Sequence, residues 1–289
     1  MNLSMKTRLI TRLNCKVEIV FNFFIRKGSI VMVNSYENKA MLNDAIEIAK
    51  KAGEYLKEMF HSQFNIEYKG DSDLVTDADY GAERIIINEI KRLYPDCSIL
   101  SEEAGELNKE SRYKWVVDPL DGTVNFSKGI PIFGVILAVL EDEVPIVGVH
   151  YIPMFNEIYY AVKGGGSFLN GKQITVSSRS KLSDFIIGLG DFNIGRDEKM
   201  KQRDNELLNQ ITAQLSPLTM RTKIFGAACY DLACIASGKT DALLYAFSNP
   251  WDVLAGSLII KEAGGEILII DDLTIYSSGK CLDELKKVF

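Results

Sequence analysis

Histidine is almost absent from this chain: His61 and His150 are its only two. That argues against a His-rich zinc centre and leaves little material for a Ser-His-Asp hydrolase, since both need imidazoles placed beside other groups. Cysteine offers no framework either. The five cysteines, Cys15, Cys97, Cys229, Cys234 and Cys281, are odd in number and form no CxxC pair, which suits a reduced, cytoplasmic compartment. Positive charge is not in excess, because 33 Lys and Arg face 39 Asp and Glu for a net charge of −6. Nucleic acid and anionic membrane surfaces are therefore poor partners, since clustered cations are what hold phosphate backbones. Carboxylates, hydroxyls and hard metal ions remain as the means of catalysis.

Long hydrophobic runs are missing too. VEIVFNFFI near the N-terminus is interrupted by Glu18 and Asn22, lacks a following small-residue cleavage site, and falls short of the ~20 apolar residues that span a bilayer. Residues 1–33 are expected to be an extension outside the folded unit, with Met32 as the natural start; a disordered or targeting extension is the alternative. The chain as a whole, 47% hydrophobic and 25% charged, has an ordinary globular composition and can fold without disulfides.

What is present is regular. Leu42, Ala45, Ile46, Ala49, Ala52, Leu56 and Met59 recur at helical spacing, and a second helix follows DLVTDAD with Ala82, Ile85, Ile86, Ile90 and Leu93 inward. SIL, WVV, GVILAVL, IVGVHYI and EIYYAV read as strands, and KGGGSFLNGKQI as hairpin turns. Beyond residue 181 the expected order is a polar helix near 197–214, TKIF, the helix GAACYDLACIASG, the strand DALLYAF, the helix WDVLAGSLIIKEAGG and the strand EILIID. The expectation is one compact unit of an α+β half over 36–180 and an α/β half over 181–289, with the active site between them; the acids and the resemblance below give the first half the metal and phosphate site and the second the substrate pocket.

Acids gather at element ends: Asp73, Asp77 and Asp79 in DLVTDAD, Glu102 and Glu103 in ILSEEAG, Asp118 and Asp121 in VVDPLDGT, and Asp252 in NPWDVLAG. Singly, each has a plain explanation. Thr76 and Asp79 have the spacing of a capping box, Asp-Gly is turn chemistry, and Asp252 suits the first turn of a helix. Converging, they would repel one another unless cations lay among them, and oxygen-only ligation selects ions such as Mg²⁺. In two-metal phosphoryl hydrolysis, ions ~3.5–4 Å apart bind the attacking and leaving oxygens. Pro119 restricts Asp118 to an extended conformation, and Gly122 lets the Gly122 and Thr123 N–H groups approach a phosphate.

DPLDGTVNF, the Glu102-Glu103 pair, DLVTDAD and WDVLAGSLIIKEAGG, in this order over roughly residues 40–280, resemble the inositol monophosphatase family of Mg²⁺-dependent, lithium-sensitive phosphatases. The resemblance implies a layered αβαβα sandwich, usually a homodimer, acting on a small phosphorylated metabolite. It makes Glu102, Asp118, the Leu120 carbonyl and Asp121 ligands of a first metal, and Asp118, Asp121 and Asp252 ligands of a second. Glu102 would help hold a third. Thr123, hydrogen-bonded to Asp79, would activate the attacking water, with Glu103 as an outer helper and no covalent enzyme intermediate. Asp121, Gly122, Thr123, Gly226, Ala228, Tyr245 and Asp252 would bind substrate.

One position departs from the family. Where inositol-specific members carry a Glu seven residues before the Asp of Trp-Asp, this chain has Tyr245, which cannot offer a carboxylate to hydroxyls. Inositol 1-phosphate is the expected substrate. Fructose 1,6-bisphosphate, adenosine 3',5'-bisphosphate, NADP and histidinol phosphate are the alternatives, and a catalytically silent metal-binding relative is an alternative of another kind. A haloacid-dehalogenase-like reading needs DxDGT, whereas this chain has one residue more; its GDFNIGRD echoes that class only superficially.

Overall fold

The computed structural model describes residues 35–68, 74–108, 110–194 and 197–288. The expected extension over 1–33 and Asp73 of DLVTDAD lie outside the described residues.

Helix α1 (Ser35–Phe60) and helix α2 (Asp77–Leu93) form where the apolar spacing predicts them, joined through a short hairpin of β1 (Ile66–Tyr68) and β2 (Leu74–Thr76). They pack on each other and on one face of a sheet made of β3 (Ser98–Ser101), β4 (Gly105–Leu107), β5 (Tyr113–Asp121), β6 (Gly134–Glu141), β7 (Val144–Ile152), β8 (Glu157–Val162), β9 (Ser167–Leu169) and β10 (Lys172–Gln173). The spatial order is β10-β9-β8-β7-β6-β5-β3-β4, with β3 and β5 parallel and every other pair antiparallel. A one-turn helix, α3 (Thr123–Ser127), leaves the end of β5.

The middle strands carry continuous apolar runs because both faces are covered. Trp115 and Val117 of β5, with Val135, Leu137 and Val139 of β6, join the core under α1 and α2. Their neighbours Val116, Ile136, Ala138 and Leu140 point into a second core on the other side. This alternation follows from the two-residue period of a strand.

The second half runs β11 (Ile186–Leu189), α4 (Glu198–Leu215), β12 (Arg221–Lys223), α5 (Ala228–Ala236), β13 (Ala242–Tyr245), α6 (Pro250–Glu262), β14 (Gly265–Ile270), β15 (Leu273–Ser278) and α7 (Gly279–Leu285). Helices α5 and α6 fill the space between the two sheets. Gly148 of β7 permits the close approach, since a Cβ there would stand 2.6 Å from the Ala255 carbonyl oxygen. The outer face of the second sheet is covered by α4 and α7 through Ile211, Leu215, Leu282 and Leu285. Helices, sheet, helices, sheet, helices make the αβαβα sandwich.

The second sheet is mixed. Its order is β12-β11-β13-β15-β14, parallel across β12, β11 and β13 and antiparallel beyond. The strand expected at TKIF covers only Arg221–Lys223; Ile224 is exposed, and Phe225 turns onto the Tyr230 ring. Among the described residues no helix is long and apolar enough to cross a membrane.

Candidate active site

In a regular strand Asp118 and Asp121 would point to opposite faces, because they are an odd number of residues apart. The pairing of β5 with β6 prevents this. It steps from Asp118 opposite Ile136 to Asp121 opposite Gly134, so one extra residue is inserted on β5 as a bulge. Pro119 lies inside it, where its missing N–H breaks no regular ladder bond. The extra residue restores parity. Asp118 shares the face of Val116, toward α5 and α6, and Asp121 turns the same way, with its two oxygens accepting the backbone N–H groups of Ala228 (3.0 Å) and Cys229 (2.7 Å) at the start of α5.

Asp252 enters from the first turn of α6, where it accepts the Asn249 N–H at 2.9 Å in a capping box and sits behind Pro250. Glu102 lies in the turn after β3, its N–H bonded to the Val117 carbonyl at 3.1 Å, with Glu103 next in the same turn. Asp118 and Asp121 are buried, and both carboxyls are held above the usual carboxylate range. For Asp118 the cause is burial first, then the charges of Glu102, Asp121 and Asp252. Burial likewise raises Asp121, against the pull of the Cys229 and Ala228 amides. It pushes Asp252 up to about 7, with the Asn249 hydrogen bonds opposing and the Asp121 charge adding.

Buried carboxylates that raise one another call for a compensating cation, and an all-oxygen set of this kind fits Mg²⁺ in the chemistry of its donors. No group of three such side chains among the described residues is already drawn into one ligating cage. The fit therefore lies in donor type and proximity.

The hydroxyl of Thr123, the first residue of α3, lies 3.0 Å from Asp79 Oδ1 and 2.9 Å from the Leu120 carbonyl oxygen. The Leu120 side chain is buried in the core beneath α1 and α2. Asp79 is fixed from behind, since its Oδ2 accepts the Thr76 N–H (2.7 Å) and hydroxyl (2.6 Å) in a complete capping box. The bland and the functional explanations of Asp79 are thus compatible, one oxygen serving each. Asp77, by contrast, turns away to accept the N–H and side-chain amide of Asn65.

Gly122 adopts φ +83°, and a Cβ there would meet the Ile132 carbonyl oxygen at 2.9 Å and Ala227 Cβ at 3.0 Å, so the turn after β5 abuts the turn before α5. Gly226 belongs to that second turn, and Ala228 opens α5 directly after it. Tyr245 is buried at the end of β13, its ring edge-on to Tyr276 and its hydroxyl hydrogen-bonded to Asp231.

Three residues here had no role in the sequence reading. The Asn125 amide reaches the Phe225 (2.8 Å), Ile132 (2.9 Å) and Gly226 (3.2 Å) carbonyls and ties the two turns together. Its signal was its place within DGTVN. Asp231 was hidden in an otherwise apolar small-residue helix, and Asp191 in the GDFNIGRD stretch set aside as a chance echo.

The fold that gathers these acids is that of a phosphomonoesterase. The chain belongs to the inositol monophosphatase family, whose profile, described as "Inositol monophosphatase family", matches residues 37–283. It is 38% identical to inositol monophosphatase 2 of Solanum lycopersicum over 231 residues, 78% of this chain and 85% of that one. It is 35% identical over 259 residues to a Thermotoga maritima protein named fructose-1,6-bisphosphatase/inositol-1-monophosphatase, covering 86% of this chain and 94% of that one. Among solved structures, the extragenic suppressor protein suhB of Bartonella henselae superposes with a TM-score of 0.78 at 30% identity, covering 86% of this chain and 98% of that one. The family is metal-dependent and acts on small phosphorylated substrates.

Proposed function

We propose that this chain hydrolyses inositol 1-phosphate with Mg²⁺ as cofactor. The observation that carries the reading is the β5 bulge, which turns Asp118 and Asp121 to one side, where Asp252 also acts on Asp118. Glu102, Asp118, the Leu120 carbonyl, Asp121 and Asp252 would hold two to three ions. Such ions, when bound, supply Lewis-acid polarisation of the phosphoryl group and acidify water.

The chain's own residues do the rest. The Thr123 hydroxyl has one proton and two acceptors in reach; donated to Asp79 Oδ1, it leaves the Thr123 oxygen free to accept a proton from the attacking water. Burial holds the Asp79 carboxyl above its usual range, against hydrogen bonds from Thr76 and Thr123, which fits it to receive a proton. Glu103 stands as an outer helper. The Gly122 and Thr123 N–H groups are assigned to the phosphate oxygens. The alcohol is assigned to the side bounded by Asp121, Gly226, Ala228, Tyr245 and Asp252, and the products are inorganic phosphate and free alcohol.

The second reading is the same chemistry on fructose 1,6-bisphosphate, favoured by the double name of the Thermotoga maritima relative and of a 35% identical Aquifex aeolicus one. The test is phosphate release with Mg²⁺ from inositol 1-phosphate, fructose 1,6-bisphosphate, adenosine 3',5'-bisphosphate, NADP and histidinol phosphate. Fastest turnover of the first supports the reading, and release from none would return the chain to a silent metal-binding role. The family resemblance also supports a cytoplasmic, lithium-sensitive homodimer, which sedimentation and Li⁺ titration of the activity test.

A further inference from the structure

The side assigned to the alcohol contains a carboxylate that the site as described does not use. Asp191 follows Gly190 at the end of β11, and Gly190 is held by its N–H to the Leu244 carbonyl at 2.9 Å. A Cβ placed on Gly226 would lie 3.4 Å from Asp191 Oδ2. Gly226 is two residues before Ala228, whose N–H holds Asp121, so Asp191 faces the site across the small residues of that turn. Asp191 is open to solvent, and among the described residues no hydrogen-bond donor or ion-pair partner is assigned to it. Packing on its other side raises its carboxyl through burial.

Among the described residues, three other polar side chains beside this turn are already committed. The Asn125 amide, which also borders Gly226, is bonded to the Phe225, Ile132 and Gly226 carbonyls. Tyr245, on the strand beside β11, lies so close that a Cβ on Gly190 would stand 2.4 Å from its ring. Its hydroxyl is bonded to Asp231, and Asp231 is only 4% exposed. Among the described residues, Asp191 is thus a carboxylate beside that turn with unused acceptor capacity.

We propose that Asp191 is a specificity-determining residue whose carboxylate accepts hydrogen bonds from hydroxyls of the leaving alcohol, selecting phosphomonoesters of neutral polyols over esters carrying a second phosphate. The inference rests on the phosphatase reading above. Two adjacent hydroxyls present donors that one carboxylate can accept together, which Tyr245 cannot match. A second phosphate would approach Asp191 on a side where the charges acting on Asp231 are those of Asp121 and Asp191, both negative.

The test compares kcat/KM of wild type, Asp191→Asn, Asp191→Ala and Asp191→Lys on inositol 1-phosphate, fructose 1,6-bisphosphate and p-nitrophenyl phosphate, whose leaving group has no further hydroxyl. In Asp191→Ala the ratio of inositol 1-phosphate to p-nitrophenyl phosphate falls about 10-fold or more, through KM rather than kcat, as for a lost hydrogen bond to a charged acceptor. Asp191→Asn, which keeps one carbonyl acceptor, falls less. Asp191→Lys shifts the ratio of fructose 1,6-bisphosphate to inositol 1-phosphate upward about 10-fold. An unchanged ratio in Asp191→Ala, or a wild-type preference for the bisphosphate, overturns the assignment of Asp191 and leaves the phosphatase reading standing. Release from none of the three esters by wild type overturns both.

Discussion

The Thr123 hydroxyl and Asp79 Oδ1, from residues 44 apart in the chain, meet at 3.0 Å, while Asp79 Oδ2 caps its own helix. A group pinned this way has little freedom to find another partner. Thr123→Ala and Asp79→Asn each lower kcat by at least about 10²-fold, the scale of a lost acid–base group. Because the two act on one proton, the double variant is scarcely worse than either single one, whereas Thr123→Ser keeps most of the rate. Steady-state kinetics on inositol 1-phosphate check all four.

Asp121 bridges the sheet and helix α5, with both oxygens accepting amides. Asp121→Asn lowers kcat by at least about 10²-fold. Turnover near wild type in this variant would refute the site.

Buried like charges predict a trade between stability and metal binding. Burial and the charges of Glu102, Asp121 and Asp252 disfavour ionised Asp118. At pH 8 without metal, Asp118→Asn melts above wild type, by about 2–4 °C for each 1 kcal/mol relieved. Mg²⁺ reverses the order, raising the Tm of wild type far more than that of the variant, and EDTA restores it. Calorimetry with and without Mg²⁺ measures both.

His150 is fully buried, with Nδ1 3.0 Å from the Cys229 carbonyl, and burial lowers its pKa from 6.5 to about 4. Its neutral form is the folded one. Below pH 6.5 the unfolded chain takes up a proton that the folded protein refuses, so this contribution to stability falls as pH drops toward 4, by up to about 3 kcal/mol. Urea unfolding of metal-free protein between pH 6.5 and pH 4 shows a shallower loss in His150→Asn.

Which parts of the molecule were legible in the sequence follows from how far each signal reaches. Helices α1 and α2 carry their own apolar period, and the WVV run of β5 and the VILAVL run of β6 advertise burial on both faces. Strand β15 was missed because LTIYSS mixes polar residues into a buried strand, where Ser277 and Ser278 sit inside despite their chemistry. Strands β1 and β4 are only three residues long, too short for a period. In the site, the acids of DPLDGT and NPWD stood in recognisable order, whereas the bulge that gives Asp118 and Asp121 one direction is visible only through pairing with β6. Asp231 was unreadable for a similar reason, since its partner Tyr245 comes from another element.

The amides that hold Asp121 come from residues 107 and 108 positions further along the chain. During synthesis β5 leaves the ribosome long before Ala228 and Cys229 exist, and until they arrive its exposed carboxylates have neither their helix nor Asp252. Without the second half, the face of the first sheet that carries Val116, Ile136 and Asp118 also lacks its cover. The site is therefore completed only when the second half joins the first, and a chain truncated before Ala228 is expected to release no phosphate.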